Sequence, residues 1–363
     1  KNWMRQDLPQ NNQDVKYMGS LLSYSGLTTK IRAMQSRLLT DEQYRELAEL
    51  KSVPQAVTYL KQQPAYEAIL DSLSEEALHR GKIEQLLVNS IYRDFTKIYQ
   101  FSNMEQRKFL NLYFGRYEVS IMKECLNKIF DHRDVNLDLS LFKPFFDKHS
   151  QLDINLLTAS QSMEEFVSHL RGTSYYQPLT ALSGLETPTL FDYEMALDLS
   201  YFSAIWKTKD KILSKKNLEE ITKAYGNKFD LLNLQWIYRS KQYYHMTAAD
   251  IYALLIPVNY KLHKKDIAAL VEAETMTAFE SLLDRTYYGR RYEKLNSHTL
   301  EEMYSSIMKH VLSGESKADP YSVSTIYCYL YHKEHEIDRL TTVLECIRYS
   351  IPPEDTMRYI SKS

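Results

Sequence analysis

Repetition constrains this sequence more than any other feature. AVTYLKQQPAY (Ala56 to Tyr66), FVSHLRGTSYY (Phe166 to Tyr176) and FESLLDRTYY (Phe279 to Tyr288) share one design. Leu60, Leu170 and Leu283 hold the same place, an apolar residue precedes each by three or four positions, and a tyrosine closes each unit after a polar turn. The third copy is one residue shorter in that turn. Recurrence at intervals of about 110 residues points to three like modules. A chain of 363 residues has room for two or three domains, each with its own core. Triplication of this kind suits a body built around an axis better than a catalytic cleft.

The modules are expected to be helical. With 9 Gly and 10 Pro, turn-making residues are about half as frequent as usual, which favours long helices. Ile83, Leu86, Leu87, Ile91, Phe95 and Ile98 recur at helical steps and predict a helix from about Lys82 to Phe101. The same spacing over Met195, Leu197, Leu199, Phe202, Ile205 and Trp206 predicts another across Tyr193 to Leu213. Thr40 with Gln43, Ser162 with Glu165 and Thr299 with Glu302 have capping-box spacing, in which a side-chain oxygen satisfies a free amide at a helix start. No run of strict alternation in β-branched residues requires a sheet.

A second repeated element lies between copies of the first: Leu27 to Leu39, Tyr117 to Ile129, Leu232 to Tyr244 and Glu336 to Arg348, each an apolar stripe flanked by charge. Three modules need three such helices, so the fourth is expected to complete the last module or to close the body against the first. Gly, Pro, Ser and Asn clusters place breaks near Asn103 to Gln106, Ser183 to Pro188, Asn227 to Asp230 and Gly314 to Pro320. The expected organisation is a flexible N-terminal arm over 1–16 and helical modules over 17–110, 111–229 and 230–363, the last carrying the closing helices.

Charge and motifs narrow the chemistry. With 45 basic against 47 acidic residues there is no surplus to hold a phosphate backbone, so nucleic acid is not an expected partner. The longest apolar stretch, Ile251 to Val258, is interrupted by Pro257 and falls well short of the ~20 residues that cross a bilayer, so direct membrane insertion is not expected. Neither a G-x-x-x-x-G-K-[ST] loop nor a G-x-G-x-x-G turn is present, and no cofactor is expected. No G-x-S-x-G elbow occurs, and no catalytic site is expected. Cys125, Cys328 and Cys346 are odd in number and lack paired metal spacing, which suits a reducing, cytosolic setting; Cys125 reads as a buried, inert thiol. His332, Glu334 and His335 miss both zinc-helix spacings, and their charged surroundings predict a solvated helix face and no metal.

Two stretches carry a family resemblance: KIRAMQSRLL (Lys30 to Leu39), followed by Tyr44 and Leu47, and HKEHEIDRLTTVLECIRYSIPPEDTMRYI (His332 to Ile360). They resemble the opening and closing signatures of the C subunit of bacterial and archaeal V-type (A-type) rotary ATPases, whose eukaryotic equivalent is the d subunit. FDLLNLQWIYRSKQYYHMTAADIYALLIP (Phe229 to Pro257) is similar to the family's internal motif. Departures from the family pattern are Thr28, Glu118 with Glu124, and Val258-Asn259. The resemblance implies an all-α funnel of three similar domains around a pseudo-threefold axis. It implies a non-catalytic central-stalk connector between the rotating shaft, made of the D and F subunits, and the membrane ring of proteolipids, at the cytoplasmic face, for proton or sodium ion transport or ATP synthesis.

Polar residues of the repeated helices, Arg32, Arg37, Arg239, Lys241, Glu336 and Arg339, have no apolar packing role and are the candidates for partner contacts, with salt bridges between modules as the competing reading. Two rival functions remain: a helical-repeat scaffold that binds peptides, which requires an open solenoid with polar caps, and a helical enzyme whose site assembles from His332, His335 and Glu336.

Overall fold

The computed structural model describes residues 26–71, 73, 80–131, 139, 142–292 and 299–362, and among these every regular element is helical. The expected arm, residues 1–16, lies outside them. In chain order the helices are α1 (26–35), α2 (Asp41–Ala48), α3 (Val53–Lys61), α4 (Glu67–Leu70), α5 (Arg80–Phe101), α6 (Met104–Asp131), α7 (Lys143–His149), α8 (Ile154–Ala159), α9 (Met163–His169), α10 (Tyr176–Ala181), α11 (Leu190–Ile212), α12 (Lys215–Gln242), α13 (Ala248–Leu254), α14 (Lys264–Glu272), α15 (Met276–Arg285), α16 (Tyr287–Tyr292), α17 (Leu300–Ala318), α18 (Val323–Arg348) and α19 (Pro353–Lys362). The structure is all-α, as expected.

Local chemistry explains the helix starts. The Thr40 side chain accepts the Gln43 amide while Gln43 returns the bond to the Thr40 amide, a complete capping box. Ser162 and Thr299 accept the amides of Glu165 and Glu302. α5 and α11 cover the spans predicted from their apolar stripes to within three residues at either end.

Two expectations about organisation do not survive. The break placed at Asn227 to Asp230 lies in the middle of α12, and the borders at 110/111 and 229/230 fall within the unbroken helices α6 and α12. The polar residues there are buried partners rather than a turn. Asp230, with no exposed surface, accepts the amides of Tyr260 (3.1 Å), Lys261 (2.6 Å) and Leu262 (2.9 Å) just before α14. Neighbouring Asn233 exchanges two hydrogen bonds with the backbone of Ile256. Gly226 belongs to the same surface: a Cβ there would overlap the Tyr260 ring. Gly314 is likewise helical, and the break comes after Ala318.

The triplicated segment is a short helix, a turn and a second short helix: α3–α4, α9–α10 and α15–α16. Its shared residues face inward, with Leu60, Leu170, Phe166 and Phe279 fully buried. In each copy a tyrosine at or next to the end donates its hydroxyl to a carboxylate on a long helix, and in the second copy it is Tyr175 rather than the last residue, Tyr176. Tyr66 bonds Glu336 of α18, Tyr175 bonds Glu118 of α6 at 2.8 Å, and Tyr288 bonds Asp230 of α12 at 2.9 Å. The same three carboxylates bind the segment leading into the preceding short helices: Leu39 N to Glu336 (2.7 Å), the Ser150 hydroxyl to Glu118, and the three amides to Asp230. The repeat is therefore one of packing and of hydrogen bonding.

Long helices join these units. α6 packs on α11, α12 on α11 and α17, and α18 on α5, α12 and α17. α18 also packs on α2 and α3, and α19 on α2. α18, which carries the fourth copy of the second repeated element, thus packs against the first short-helix unit, one of the two placements expected for it. An open solenoid has no such contact.

Candidate functional site

α6, α11, α12, α17 and α18 enclose a cavity of about 570 Å³. Its wall mixes aromatic rings, among them Phe202, Trp236, Tyr304 and Tyr327, with six charged side chains: Arg116, Lys123, Asp198, Lys228, Glu334 and Asp338. Four of these are paired. Arg116 binds Glu334 at 2.9 Å, where Tyr113 also donates at 2.8 Å, and Lys123 binds Asp198 at 2.7 Å. The Glu334 carboxylate, ahead of the opposing effect of desolvation, holds the Arg116 guanidinium well above its usual pKa and so firmly charged.

Lys228 and Asp338 differ from the other four. Lys228 is 9 % exposed and, among the described residues, makes no hydrogen bond or ion pair; the rings of Tyr225 and Phe202 are centred 5.8 and 6.0 Å from its ammonium. Desolvation, reinforced by the Arg116 charge, lowers its pKa to about 7. Asp338 keeps open surface, yet that surface faces the cavity. Surrounding protein therefore still raises its carboxyl to about 6, desolvation first and the Glu334 charge second. His335, on the same wall, is lowered to about 4 by burial and by Arg339, and is neutral near pH 7.

This overturns the expected solvated face on α18. Lys333 is fully buried, Glu334 sits inside its ion pair, and Tyr331 stacks on His335 with ring centres 6.2 Å apart. Charge density misled because the covering groups, Tyr66 and Arg116 among them, lie more than 200 residues away in the chain. Among the described residues no three His, Cys, Asp or Glu side chains gather as a metal site. The trio proposed for a helical enzyme is dispersed: Glu336 turns to Tyr66 and Lys333, while both histidines pack on Tyr331. Cys125 is buried and its thiol is pushed up to about 12 by desolvation.

The six candidate contact residues do not form one patch. Glu336 is 4 % exposed and belongs to the closing joint, where Lys333 reaches both Glu336 (3.2 Å) and the Tyr66 hydroxyl (2.8 Å), so it is unavailable to a partner. Arg339 lies over the Tyr44 ring, 3.9 Å from its centre, and pairs with Asp41 at 3.2 Å. Arg239 pairs with Glu301 at 2.7 Å on open surface, and Lys241 donates to the carbonyl of Val271. Arg32 and Arg37 are exposed on or beside α1, and Arg37 lines a small cleft with Lys30, Arg93 and Lys97 around Asp94. Sequence reasoning missed Lys228, Asp338 and the carboxylates Glu118 and Asp230. The last two were within reach, since Glu118, Asp230 and Glu336 recur at the same period as the tyrosines they bind.

Known proteins match this sequence over nearly its whole length. The chain is 26 % identical to the C subunit of the A-type ATP synthase of Pyrococcus abyssi, covering 91 % of this chain and 88 % of the relative. It is 24 % identical to the same protein of Methanothermobacter thermautotrophicus, covering 92 % and 86 %, and 22 % identical to that of Thermococcus kodakarensis, covering 96 % and 93 %. A family model described as ATP synthase (C/AC39) subunit matches residues 27–359, and the chain belongs to that family.

Proposed function

We propose that this protein is the non-catalytic connector of a rotary ATPase, joining the rotating shaft, the D and F subunits, to the membrane proteolipid ring at its cytoplasmic face. The observation that carries the reading is closure. α18 and α19 pack back on α2, so torque applied at one module is passed through buried contacts to the others. A torsion-bearing coupler needs such stiffness, and it needs a socket; the cavity ringed by α6, α11, α12, α17 and α18 has the mixed polar and aromatic wall of a reversible protein joint. Three alike units on long helices agree with a funnel around a pseudo-threefold axis. Among the described residues no helix is long and apolar enough to cross a membrane, which agrees with attachment to the ring through contact.

Arg32, Arg37, Arg239 and Lys241 remain candidates for contact with the shaft or ring, because their cationic groups lie at or near the surface. The test is capture of the purified chain with the D–F pair, with the isolated ring, and with both. Simultaneous binding of both is expected. Competition between them for one face, or binding of neither, would refute the reading.

A further inference from the structure

We propose that Lys228 and Asp338 form a split receptor in the cavity for one acidic and one basic side chain carried on an inserted helical segment of the shaft. The proposal rests on the connector reading above and adds the chemistry of its socket.

Four of the six charges on the wall neutralise one another in two short ion pairs, and these two do not. The Lys228 ammonium makes no hydrogen bond or ion pair among the described residues, and neither does the Asp338 carboxylate. Nor do they compensate each other: the charges that Lys228 feels are those of Arg116, Glu334 and Asp198, and those that Asp338 feels are Glu334 and Arg116. The same cavity wall carries a third unspent group. The Tyr327 hydroxyl is buried without a hydrogen-bond partner among the described residues, and its ring stacks on Tyr225 at 5.0 Å. Buried polar groups are nearly always satisfied, so a lone desolvated cation and an orphaned hydroxyl on one cavity wall mark a place where an acceptor binds.

The wall also selects the class of occupant. With the two ion pairs neutral, the wall is left with one positive and one negative charge, so one carboxylate balanced by one cation keeps the cavity neutral, whereas a phosphate or any other multivalent anion would not. Phe202, Trp236 and Tyr304 add aromatic surface to the same wall, which suits side chains on one face of a helix.

Docking is then linked to protons. The titratable groups that line the cavity with Lys228 and Asp338 are Tyr113, Arg116 and Lys123 from α6, Asp198 and Tyr201 from α11, Tyr304 from α17, and Tyr327, Tyr331, Glu334 and His335 from α18. Lys228 is lowered to about 7, and an arriving carboxylate raises it, so binding takes up a proton above pH 7 and weakens as pH rises. Asp338 is raised to about 6, and an arriving cation lowers it, so binding releases a proton below pH 6 and weakens as pH falls. Affinity should peak between the two and fall by up to about tenfold per pH unit on each side.

The test is calorimetric titration of the purified D–F pair into the full chain from pH 5 to pH 8.5. Lys228→Met should weaken binding about tenfold or more at pH 6.5, and Lys228→Arg, which stays charged, should restore binding with a flat alkaline side. Asp338→Asn should remove the fall on the acid side. Lys228→Met removes an unpaired, desolvated charge and Asp338→Asn an unpaired one, so the melting temperatures of these two variants should equal or exceed that of the unsubstituted protein. Tight binding by the unsubstituted protein with unchanged affinity for Lys228→Met overturns this inference alone. Absence of binding by the unsubstituted protein overturns the connector reading and this inference with it.

Discussion

Two buried lysines, alike in chemistry, are handled in opposite ways. Lys333 is fully buried and has everything an ammonium requires: the Glu336 carboxylate at 3.2 Å, the Tyr66 hydroxyl at 2.8 Å and the face of the Tyr66 ring at 4.1 Å. Lys228 is almost as buried and, among the described residues, has ring faces near it but no hydrogen bond or ion pair. The first sits where the chain closes on itself and is consumed by the fold. The second sits at the cavity and is left unspent. A charge withdrawn from water without a partner lowers stability, so its retention at Lys228 is the mark of a group held for something that arrives.

Removing one member of the closing joint should have the largest effect. Lys333→Met leaves the buried Glu336 without its counter-ion, and a stability loss of about 3–5 kcal/mol is expected in denaturant melts. A double substitution, Lys333→Met with Glu336→Gln, should recover much of that loss; a loss as large as for the single variant would mean that packing, and not charge, holds the joint.

Lys228→Met should move the other way, raising stability by about 1–4 kcal/mol at pH 7. The sign follows from its lowered pKa. The unfolded chain holds that proton up to about 10.5 while the folded one releases it near 7, so the burden is full below pH 7 and disappears as pH rises to about 10.5. Melts at pH 7 and pH 10 should therefore show a gain that shrinks, and a constant gain would exclude the titration of Lys228 as its source.

The three tyrosine clasps extend the contrast. Asp230 receives three amides and a hydroxyl, whereas Glu118, among the described residues, receives the hydroxyls of Ser150 and Tyr175. Desolvation outweighs those two bonds and raises the Glu118 pKa, so its contribution falls as pH rises from its unfolded value through the raised one. Tyr288→Phe and Tyr175→Phe should each cost about 1–3 kcal/mol at neutral pH. Glu118→Gln should change stability by less than either and flatten its pH dependence just above the ordinary carboxylate range. A larger loss for Glu118→Gln than for Tyr175→Phe would show a carboxylate charge that the fold requires.

The surface is expected to respond least. Reversing Arg239 breaks one exposed pair with Glu301, with about 0–1 kcal/mol at stake in stability. Reversal of Arg239 together with Lys241 should nevertheless weaken shaft capture if these residues face the shaft, and unchanged capture would remove them from the interface.

The sequence made local matters legible. Apolar stripes and N-caps located α2, α5, α9, α11 and α17, and the triplicated segment disclosed its buried leucines and tyrosines. What it hid was polar burial. Gly226, Asn227 and Asp230 have the composition of a turn, and only the chain near Tyr260, some thirty residues on, explains why they lie inside α12. Lys333, Glu334 and Glu336 look like a solvated face until Tyr66, Leu39 and Arg116 cover them. A charged residue reads as exposed unless its partner is in view, and here the partners are brought by closure of the whole chain. The cavity was hidden for the same reason, since its wall draws on helices from Tyr113 to Asp338.

A reconstruction of the assembled rotor by electron cryomicroscopy would be the most direct check. Density of the shaft tip entering between α6, α11, α12, α17 and α18, with an acidic side chain at Lys228, is the expected result. A shaft seated elsewhere on the protein, with that cavity unfilled, would contradict it.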